Sequence, residues 1–402
     1  MNRSIEYDSN EIKGSVSISG SKSESNRLLI LQKIFSNIQL KNLSNSDDTK
    51  HLINALNSKV KTIDIGHAGT AMRFLTAYFA VMKGREVILT GSDRMQNRPV
   101  KILVEALQSL GADIQYVDKF GFPPLLIKGK NLIKNKVKIN GNVSSQYISA
   151  LLLIAPSLEN GLEIELLGKV TSIPYLKMTL ALLNDLGIET IWKDNLIKVE
   201  PNKNIDTKEI TVESDWSSAS YFYSLVALSK NAEILLSSFK QNSLQGDRSL
   251  VEIYEHFGVS TEFKDDSIKL SKNIEANLSP LNIDLIDSPD LAQTISVTCF
   301  GLGIGCNLKG LHTLKIKETD RLVALDIELS KLGADIEVTN ESLHLKASKK
   351  INRNVAIDTY HDHRMAMAFA PLAIKVPMII NDAEVVTKSF TSFWNDFEGV
   401  LK

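Results

Sequence analysis

The chain has 402 residues and a formal net charge of −1, from 46 Lys and Arg against 47 Asp and Glu. Hydrophobic residues make up 43% and charged residues 23%, which is typical of a globular protein with a large core. A charge so close to zero disfavours a nucleic-acid-binding surface spread over the protein, so electrostatic work must fall to local clusters.

Segments that would direct the chain to or across a membrane are not expected. No apolar run approaches the ~18 residues that cross a bilayer, and the N-terminal MNRSIEYDSNEIKG lacks the apolar segment of a signal peptide. The cysteines, Cys299 and Cys306, are too few for a disulfide framework, which is typical of a reducing compartment. We therefore expect a cytoplasmic protein without a membrane partner.

In chain order, the predicted elements repeat. A helix with a polar start and an apolar body, followed by a strand, begins near residues 22, 69, 145, 217, 290 and 363. Between these elements lies a helix that ends in glycine. It is followed by two runs in which apolar and polar residues alternate, and these predict a β-hairpin. This second element recurs at Gly111, Gly187, Gly258 and Gly333, at intervals of 76, 71 and 75 residues.

Six units of about 70 residues thus account for almost the whole chain, with the first shortened by about 25 residues and lacking the hairpin. Solenoid repeats usually have ~20–50 residues and lack such a mixed unit. Two compact domains of three units each fit the length better. The predicted fold class is α/β.

The polar helix starts carry the chemical signal. Helix N-termini favour anions and disfavour cations. Serine and aspartate there are explained by capping alone, which is the preferred interpretation for Asp215. Capping does not explain the cations that are predicted in the first turns of these helices. Their presence suggests that an external anion binds there. They are Lys22, Arg27, Arg73, Lys317, Arg321 and Arg364. Helical spacing places three pairs on common faces, namely Ser23 with Arg27, Gly69 with Arg73, and Lys317 with Arg321.

Other motifs are weaker. Gly301, Gly303 and Gly305 end an apolar helix, so they are no dinucleotide fingerprint. His361 and His363 flank Asp362 with a spacing that suggests metal ligands, but the adjoining Arg364 disfavours a cation. We expect neither a metal nor an organic cofactor.

The motifs GSKSESNR, HAGTAMR, DRMQNRP, SSQYISALL, KETDR and DHRMAMAFA, in this order, resemble those of the 5-enolpyruvylshikimate-3-phosphate synthases (3-phosphoshikimate 1-carboxyvinyltransferases) of the enolpyruvyl transferase family. The resemblance runs from Gly20 to about Phe397. It implies a two-domain inside-out α/β barrel of six βαβαββ repeats, three per domain, with the helices inside and the active site in the interdomain cleft. The expected domains are residues 1–20 with 213–402, and residues 21–212.

The resemblance also implies a transferase of the shikimate pathway and aromatic amino acid biosynthesis. The enolpyruvyl group of phosphoenolpyruvate would pass to the 5-hydroxyl of shikimate 3-phosphate through a tetrahedral intermediate, with release of phosphate. Asp290 would take the hydroxyl proton, while Glu318 and Lys22 would serve protonation at C3 and the leaving phosphate. The implied substrate-binding residues are Lys22, Ser23, Arg27, Gly69, Arg73, Arg98, Ser144, Ser145, Gln146, Ser172, Tyr175, Asp290, Thr313, Lys317, Arg321, His363, Arg364 and Lys388.

Three positions depart from the family pattern: His67 and Thr313 replace asparagines, and Phe74 replaces a proline. One alternative is the related UDP-N-acetylglucosamine enolpyruvyl transferase, which typically has a reactive cysteine in its first domain, whereas no cysteine precedes Cys299 here. A second is a non-catalytic anion-binding repeat protein, which the carboxylates Asp290 and Glu318 disfavour. The expected partners are the two small substrates alone, bound by a monomer.

Overall fold

The computed structural model describes residues 1–7, 11–142, 144–273 and 275–401. Its strands are β1 Arg3–Ile5, β2 Ile12–Val16, β3 Ile38–Lys41, β4 Thr62–Asp64, β5 Glu86–Thr90, β6 Asp113–Tyr116, β7 Leu125–Lys128, β8 Lys136–Asn140, β9 Leu162–Leu167, β10 Thr190–Lys193, β11 Leu196–Val199, β12 Lys208–Thr211, β13 Ala232–Ser237, β14 Ser260–Lys264, β15 Ser267–Ser271, β16 Leu281–Asp284, β17 Cys306–Lys309, β18 Ile336–Val338, β19 Leu343–Leu345, β20 Val355–Ile357 and β21 Met378–Ile380.

The α-helices are α1 Lys22–Ile34, α2 Asp47–Asn57, α3 Gly69–Val81, α4 Asp93–Gln96, α5 Lys101–Leu110, α6 Ser145–Ile154, α7 Ile173–Asp185, α8 Trp216–Leu228, α9 Leu250–Glu255, α10 Ala292–Leu302, α11 Arg321–Lys331, α12 His363–Phe369 and α13 Phe393–Gly399. Short 3-10 helices cover Ala155–Ser157, Gly246–Ser249, Pro289–Leu291, His312–Ile316, Ala370–Ile374 and Ala383–Lys388. Over the described residues, no helix combines the length and apolarity that crossing a membrane requires.

Two compact units divide the chain. Unit 1 comprises Met1–Ser19 and Glu213–Lys402, and unit 2 comprises Gly20–Val212. Unit 1 is discontinuous because the N-terminal strands complete its sheets: β1 pairs antiparallel with β21, and β2 pairs parallel with β13.

The sheets carry the predicted repeat. Four sheets have four strands, in the orders β4-β5-β7-β6, β10-β11-β9-β8, β14-β15-β13-β2 and β16-β17-β19-β18. Each contains one parallel pair, such as β4 with β5 across α3, and one antiparallel hairpin, such as β6 with β7. The α/β class and the order of helix, strand and hairpin are therefore confirmed.

Two repeats are reduced. The shortened first repeat contributes only the parallel pair β3 and β12, because its sequence contains no hairpin. The last repeat has the parallel pair β20 and β21, and the chain then ends in α13 without a hairpin. Strand β1, from the other end of the chain, supplies the third strand of that sheet.

The six helices with polar starts form the interior of the units. In unit 2, α1, α3 and α6 pack on one another, as do α8, α10 and α12 in unit 1. Residues Ser218–Leu228 of α8 are all buried, and a helix apolar on every side is typical of a core position. The strands alternate in burial, as in β9 and β13, so the sheets cover this helical core with one face.

The glycines that end the second helix of four repeats adopt the left-handed conformation. Their φ angles are 109° for Gly111, 78° for Gly187, 81° for Gly258 and 97° for Gly333. Only glycine adopts this conformation readily, and it lets the chain leave the helix and enter the hairpin. The prediction that a glycine ends the helix in each of these four repeats is confirmed.

Candidate active site

A largely buried carboxylate surrounded by cations lies in unit 1. Asp290 belongs to the 3-10 turn Pro289–Leu291, directly before α10, and its side chain is 12% exposed. Its Oδ1 accepts a hydrogen bond of 2.8 Å from Nη1 of Arg321 and lies 3.4 Å from Nζ of Lys317. Its Oδ2 accepts a hydrogen bond of 3.2 Å from Nη2 of Arg364. Three cations thus contact one carboxylate.

Arg321, the first residue of α11, joins three carboxylates. Besides Asp290, its Nε donates to Oδ2 of Asp362 at 2.6 Å, and its Nη2 donates to Oε2 of Glu318 at 2.8 Å. Asp362 is fully buried and caps α12, because its Oδ1 accepts the backbone N–H of Arg364 at 2.9 Å. One guanidinium therefore fixes the positions of both carboxylates predicted to be catalytic.

The pKa of Asp290 reflects its surroundings. Burial alone would raise the pKa of this carboxyl group, but Arg364, Lys317 and Arg321 outweigh burial and hold it well below its usual range. Asp290 is therefore an anion, stabilised by the cations that it in turn stabilises.

The prediction that Lys317 lies in the first turn of a helix is wrong. Lys317 follows the 3-10 helix His312–Ile316 and precedes α11. The helix begins only at Arg321, because the side chain of Asp320 accepts the N–H groups of the next turn. Lys317 and Arg321 nevertheless both reach Oδ1 of Asp290.

Three other predicted residues of unit 1 have different surroundings. His363 is 3% exposed, and its Nδ1 lies 3.7 Å from Oδ1 of Asp362. Nζ of Lys388 donates to the carbonyl of His361 at 2.7 Å. Oγ1 of Thr313 is buried and, among the described residues, has no hydrogen-bond partner. Within the described part, neither Lys388 nor Thr313 hydrogen-bonds to Asp290.

In unit 2, Arg27 is a buried cation held by neutral groups. Its donors reach Oγ1 of Thr179 at 2.7 Å, Oγ of Ser149 at 3.1 Å, and the carbonyls of Ser23 and Tyr175 at 2.7 and 3.4 Å. Over the ranges that the structure describes, it forms no ion pair with a carboxylate, and burial lowers its pKa to about 10. Glu24 of the same helix is the nearby carboxylate that opposes this effect, but within those ranges it does not pair with the guanidinium, so the buried charge favours an anionic ligand.

Arg73 of α3 is similar. Its guanidinium donates to the carbonyls of Gly69 at 3.1 Å and Pro99 at 3.0 Å, and burial lowers its pKa to about 10, with a further contribution from Arg98. Arg98 in turn lies against Gly69, where an added Cβ would be 2.5 Å from its Nη1. Gly69 is thus the point at which the guanidinium of Arg98 approaches the backbone of a helix start.

The predicted hydroxyl and amide ligands lie at helix starts of unit 2. Ser144 caps α6, with Oγ accepting the N–H of Gln146 at 3.4 Å. The side chain of Gln146 donates to Oγ1 of Thr70 at 3.1 Å, which joins the starts of α6 and α3. Ser145, the first residue of α6, is 8% exposed.

Two further predicted ligands of unit 2 also lie at helix starts. Ser172 precedes α7 with a φ of 55°, and its hydroxyl does not cap that helix. Lys22, the first residue of α1, has Nζ 3.4 Å from Oδ2 of Asp48. The backbone N–H groups of these helix starts are donors suited to an anion.

The two units therefore differ in charge balance. In unit 1, the cations around Asp290 are matched by carboxylates, an arrangement that can bind an anion and also move protons. Among the described residues of unit 2, the hydrogen bonds of Arg27 and Arg73 go to neutral groups alone, an arrangement suited to binding an anion. Within the described ranges, no group of three or more His, Cys, Asp or Glu side chains is placed to hold a metal ion.

Comparison with known proteins assigns the family. The model of the family EPSP synthase (3-phosphoshikimate 1-carboxyvinyltransferase) matches residues 56–397. A 3-phosphoshikimate 1-carboxyvinyltransferase of Bacteroides fragilis (strain YCH46) is 46% identical over 391 residues, which cover 96% of this chain and 95% of that protein. The chain belongs to the EPSP synthase family.

More distant relatives agree with this assignment. A protein of Haemophilus influenzae (strain KW20/Rd), also named 3-phosphoshikimate 1-carboxyvinyltransferase, is 36% identical in an alignment 433 positions long, which covers 97% of this chain and 96% of that protein. The solved EPSP synthase of Acinetobacter baumannii superposes with a TM-score of 0.80 at 20% identity, covering 99% of this chain and 98% of that one. The two-domain α/β fold expected from the resemblance is thus confirmed.

One departure from the EPSP synthase pattern has a visible structural role. Phe74 is 1% exposed, and the guanidinium carbon of Arg27 lies 5.5 Å from its ring centroid. An aromatic face stabilises a cation at this distance, so Phe74 supports the buried charge of Arg27. His67, the second departure, places its ring 5.9 Å from that of His51.

Sequence reasoning missed several members of the two clusters. Asp362 has no predicted role beyond its place between two histidines, although an aspartate at a helix start beside an arginine is itself a recognisable signal. Thr179 and Ser149, which hold Arg27, lie inside apolar helices far along the chain from it. No local pattern marks such residues, because only packing of α1 against α6 and α7 brings them together.

Proposed function

We propose that this chain transfers the enolpyruvyl group of phosphoenolpyruvate to the 5-hydroxyl of shikimate 3-phosphate and releases phosphate. The observation that carries the proposal is the contact of Asp290 with Arg321, Lys317 and Arg364. A carboxylate for proton transfer and cations for an anionic substrate then occupy one cluster. The names of the relatives at 46% and 36% identity support the same reaction.

Phosphoenolpyruvate is assigned to the cations. Its carboxylate and phosphate need several charge-assisted hydrogen bonds, which arginine supplies in a fixed planar geometry. We assign this role in unit 1 to Lys317, Arg321, Arg364 and Lys388. From unit 2, we add Gly69 and Arg98, whose close approach to each other creates a local donor group.

Asp290 is the proposed general base. While Arg364, Lys317 and Arg321 face it, its pKa is held well below the usual range, which makes it a weak base. An anionic substrate bound to Arg321, Arg364 and Lys317 would partly neutralise them and so raise the pKa of Asp290. The base would therefore become effective when phosphoenolpyruvate is bound.

The remaining proton transfers are assigned to Glu318. As the hydroxyl oxygen adds to C2 of phosphoenolpyruvate, C3 gains a proton, and loss of a proton from C3 then expels phosphate from the tetrahedral intermediate. Glu318 is 34% exposed and is oriented by its hydrogen bond with Arg321, so in this proposal it gives its proton to C3 during addition and takes one back from C3 during elimination. Lys22 is assigned to stabilise the charge on the leaving phosphate.

Shikimate 3-phosphate is assigned to unit 2. The buried charge of Arg27 attracts the phosphate, although its hydrogen bonds within the unit leave few donors for direct contact. Hydroxyl and backbone donors at the helix starts would complete the recognition. The proposed ligands are Lys22, Ser23, Arg27, Arg73, Ser144, Ser145, Gln146, Ser172 and Tyr175, with Thr313 and His363 from unit 1.

Phosphate release tests this function. We expect the purified protein to release phosphate only when both phosphoenolpyruvate and shikimate 3-phosphate are present, with an enolpyruvyl ether as the second product by mass spectrometry. UDP-N-acetylglucosamine in place of shikimate 3-phosphate is the matched control and should give no phosphate. Binding of both substrates without turnover would instead support the non-catalytic anion-binding protein.

Compartment and assembly complete the proposal. Cys299 and Cys306 are free thiols and buried, as expected for a protein of a reducing compartment, so we place the chain in the cytoplasm. We propose that it acts as a monomer without a metal or organic cofactor. Light scattering behind a sizing column tests the monomer, and activity after treatment with a chelator tests the absence of a metal requirement.

A further inference from the structure

A buried aspartate that the proposed mechanism does not use lies next to the cluster. Asp247 belongs to the 3-10 turn Gly246–Ser249 and is 8% exposed. Its Oδ2 accepts the hydroxyl proton of Ser217, and the same hydroxyl oxygen accepts Nη2 of Arg364 at 3.2 Å. A continuous chain of hydrogen bonds therefore runs from Asp247 through Ser217 and Arg364 to Asp290.

Neighbouring contacts fix the position of this turn. Gln245, directly before it, accepts the N–H of Trp216 at 3.1 Å and donates to the carbonyl of Ser214 at 2.9 Å. At the other end of the turn, the hydroxyl of Ser249 donates to that of Ser288 at 3.3 Å, two residues before Asp290. The turn is thus attached both to the start of α8 and to the segment that carries the proposed base.

The hydroxyl group of Ser217 donates one of its two hydrogen bonds and accepts the other. Ser217 has one proton, and the carboxylate of Asp247 accepts it, so a lone pair of the hydroxyl oxygen faces Arg364. The other partner of Nη2 of Arg364 is Oδ2 of Asp290, at 3.2 Å. When Asp290 takes up a proton during turnover, Arg364 loses that anionic partner and keeps Ser217.

We propose that Asp247 is a positioning residue, which holds Arg364 in place through Ser217 while Asp290 changes its protonation state. This inference rests on the proposed function. The hydrogen bonds described above support it. The burial of Asp247 is consistent with this role, because within the described residues this carboxylate forms no ion pair. Burial and the nearby Asp290, together with Asp215, raise the pKa of Asp247 to about 6, against the opposing effects of Arg364 and Ser217.

Steady-state kinetics of Asp247→Ala, Ser217→Ala and the double variant test the proposal. We expect each single variant to raise KM for phosphoenolpyruvate about tenfold, the range for loss of a hydrogen bond to a charged group, and to leave KM for shikimate 3-phosphate unchanged. The double variant should be no worse than Ser217→Ala, because Asp247 acts through Ser217. Asp247→Asn should recover part of the loss, since its amide oxygen still accepts the Ser217 proton.

Asp265→Asn is the matched control, because Asp265 lies exposed in the β14–β15 turn of the same unit, and it should behave as wild type. Additive losses in the double variant, or equal changes in KM for both substrates, would overturn the proposal. A crystal structure of Asp247→Ala supplies a readout independent of turnover: Arg364 should leave Ser217, and an unchanged Arg364 would also overturn it. Failure of wild-type turnover would instead contradict the proposed function.

Discussion

Nη1 of Arg321 lies 2.8 Å from Oδ1 of Asp290. The proposed base is therefore already hydrogen-bonded to a cation that is proposed to bind the substrate. Asp362 and Glu318 hold the same guanidinium from other sides. Because these groups fix one another, the site needs little reorganisation on binding. The substrate anion must, however, compete with Asp290 for Arg364 and Lys317, which links affinity to the charge of Asp290.

Replacement of Asp290 by asparagine should separate binding from catalysis. An amide cannot accept the hydroxyl proton, so kcat should fall at least ~100-fold. Affinity for phosphoenolpyruvate should stay equal or increase, because three cations lose the carboxylate that compensates them. Calorimetry and phosphate release measure the two quantities, with the exposed Asp287→Asn as control. A variant with more than about a tenth of wild-type kcat would return Asp290 to a structural role.

Arg364→Ala should weaken phosphoenolpyruvate binding without unfolding unit 1. The loss of charge-assisted hydrogen bonds is worth ~1.5–3 kcal/mol, or at least about tenfold in affinity. Asp290 keeps Arg321 and Lys317 after this change, so the melting temperature should move little. Titration of phosphoenolpyruvate into the shikimate 3-phosphate complex is the measurement. Arg353→Ala, at a side chain 63% exposed, should bind as wild type does.

Gly69→Ala should act through Arg98. The new methyl group would be 2.5 Å from Nη1 of Arg98, too close for any real contact, so the guanidinium must move. We expect KM for phosphoenolpyruvate to rise, and Gly69→Ala combined with Arg98→Ala to be no worse than Arg98→Ala alone. Gly399→Ala, whose added Cβ meets no atom within 4 Å, is the control. Independent effects of the two changes would contradict the explanation.

The stability of the protein should depend on pH through Asp247. Its pKa is raised from 3.8 to about 6, so the folded state keeps a proton that the unfolded chain has already lost. The stabilisation is fully present below pH 3.8 and disappears as the pH rises through about 6, by roughly 3 kcal/mol in total. Asp247→Asn lacks this dependence. Denaturant unfolding of both proteins from pH 4.5 to 8 should therefore favour the variant increasingly up to about pH 6. Parallel curves would show that the carboxyl group titrates normally.

The sequence by itself determined the repeated order of helices and strands and the positions of the helix starts that carry most of the predicted ligands. Five predicted helix starts agree with the structure to within one residue, and in the sixth a 3-10 turn precedes α10. Such features are local: apolar spacing, glycine at φ above zero and polar helix starts follow from backbone geometry within one repeat. The family resemblance likewise predicts roles for Asp290, Glu318 and Arg321, and the last two lie in the motif KETDR.

Only the tertiary structure decided how the charges are paired. In the sequence, Arg27 and Arg321 are both cations near helix starts. In the structure, Arg321 is bound by three carboxylates, whereas Arg27 is held by hydroxyls, carbonyls and the ring of Phe74. The role of Asp247 was equally invisible, since Ser217 and Arg364 lie 30 and 117 positions from it in the chain. Partners of this kind come from different repeats, and the energy of a buried charge depends on which of them packing brings within hydrogen-bonding distance.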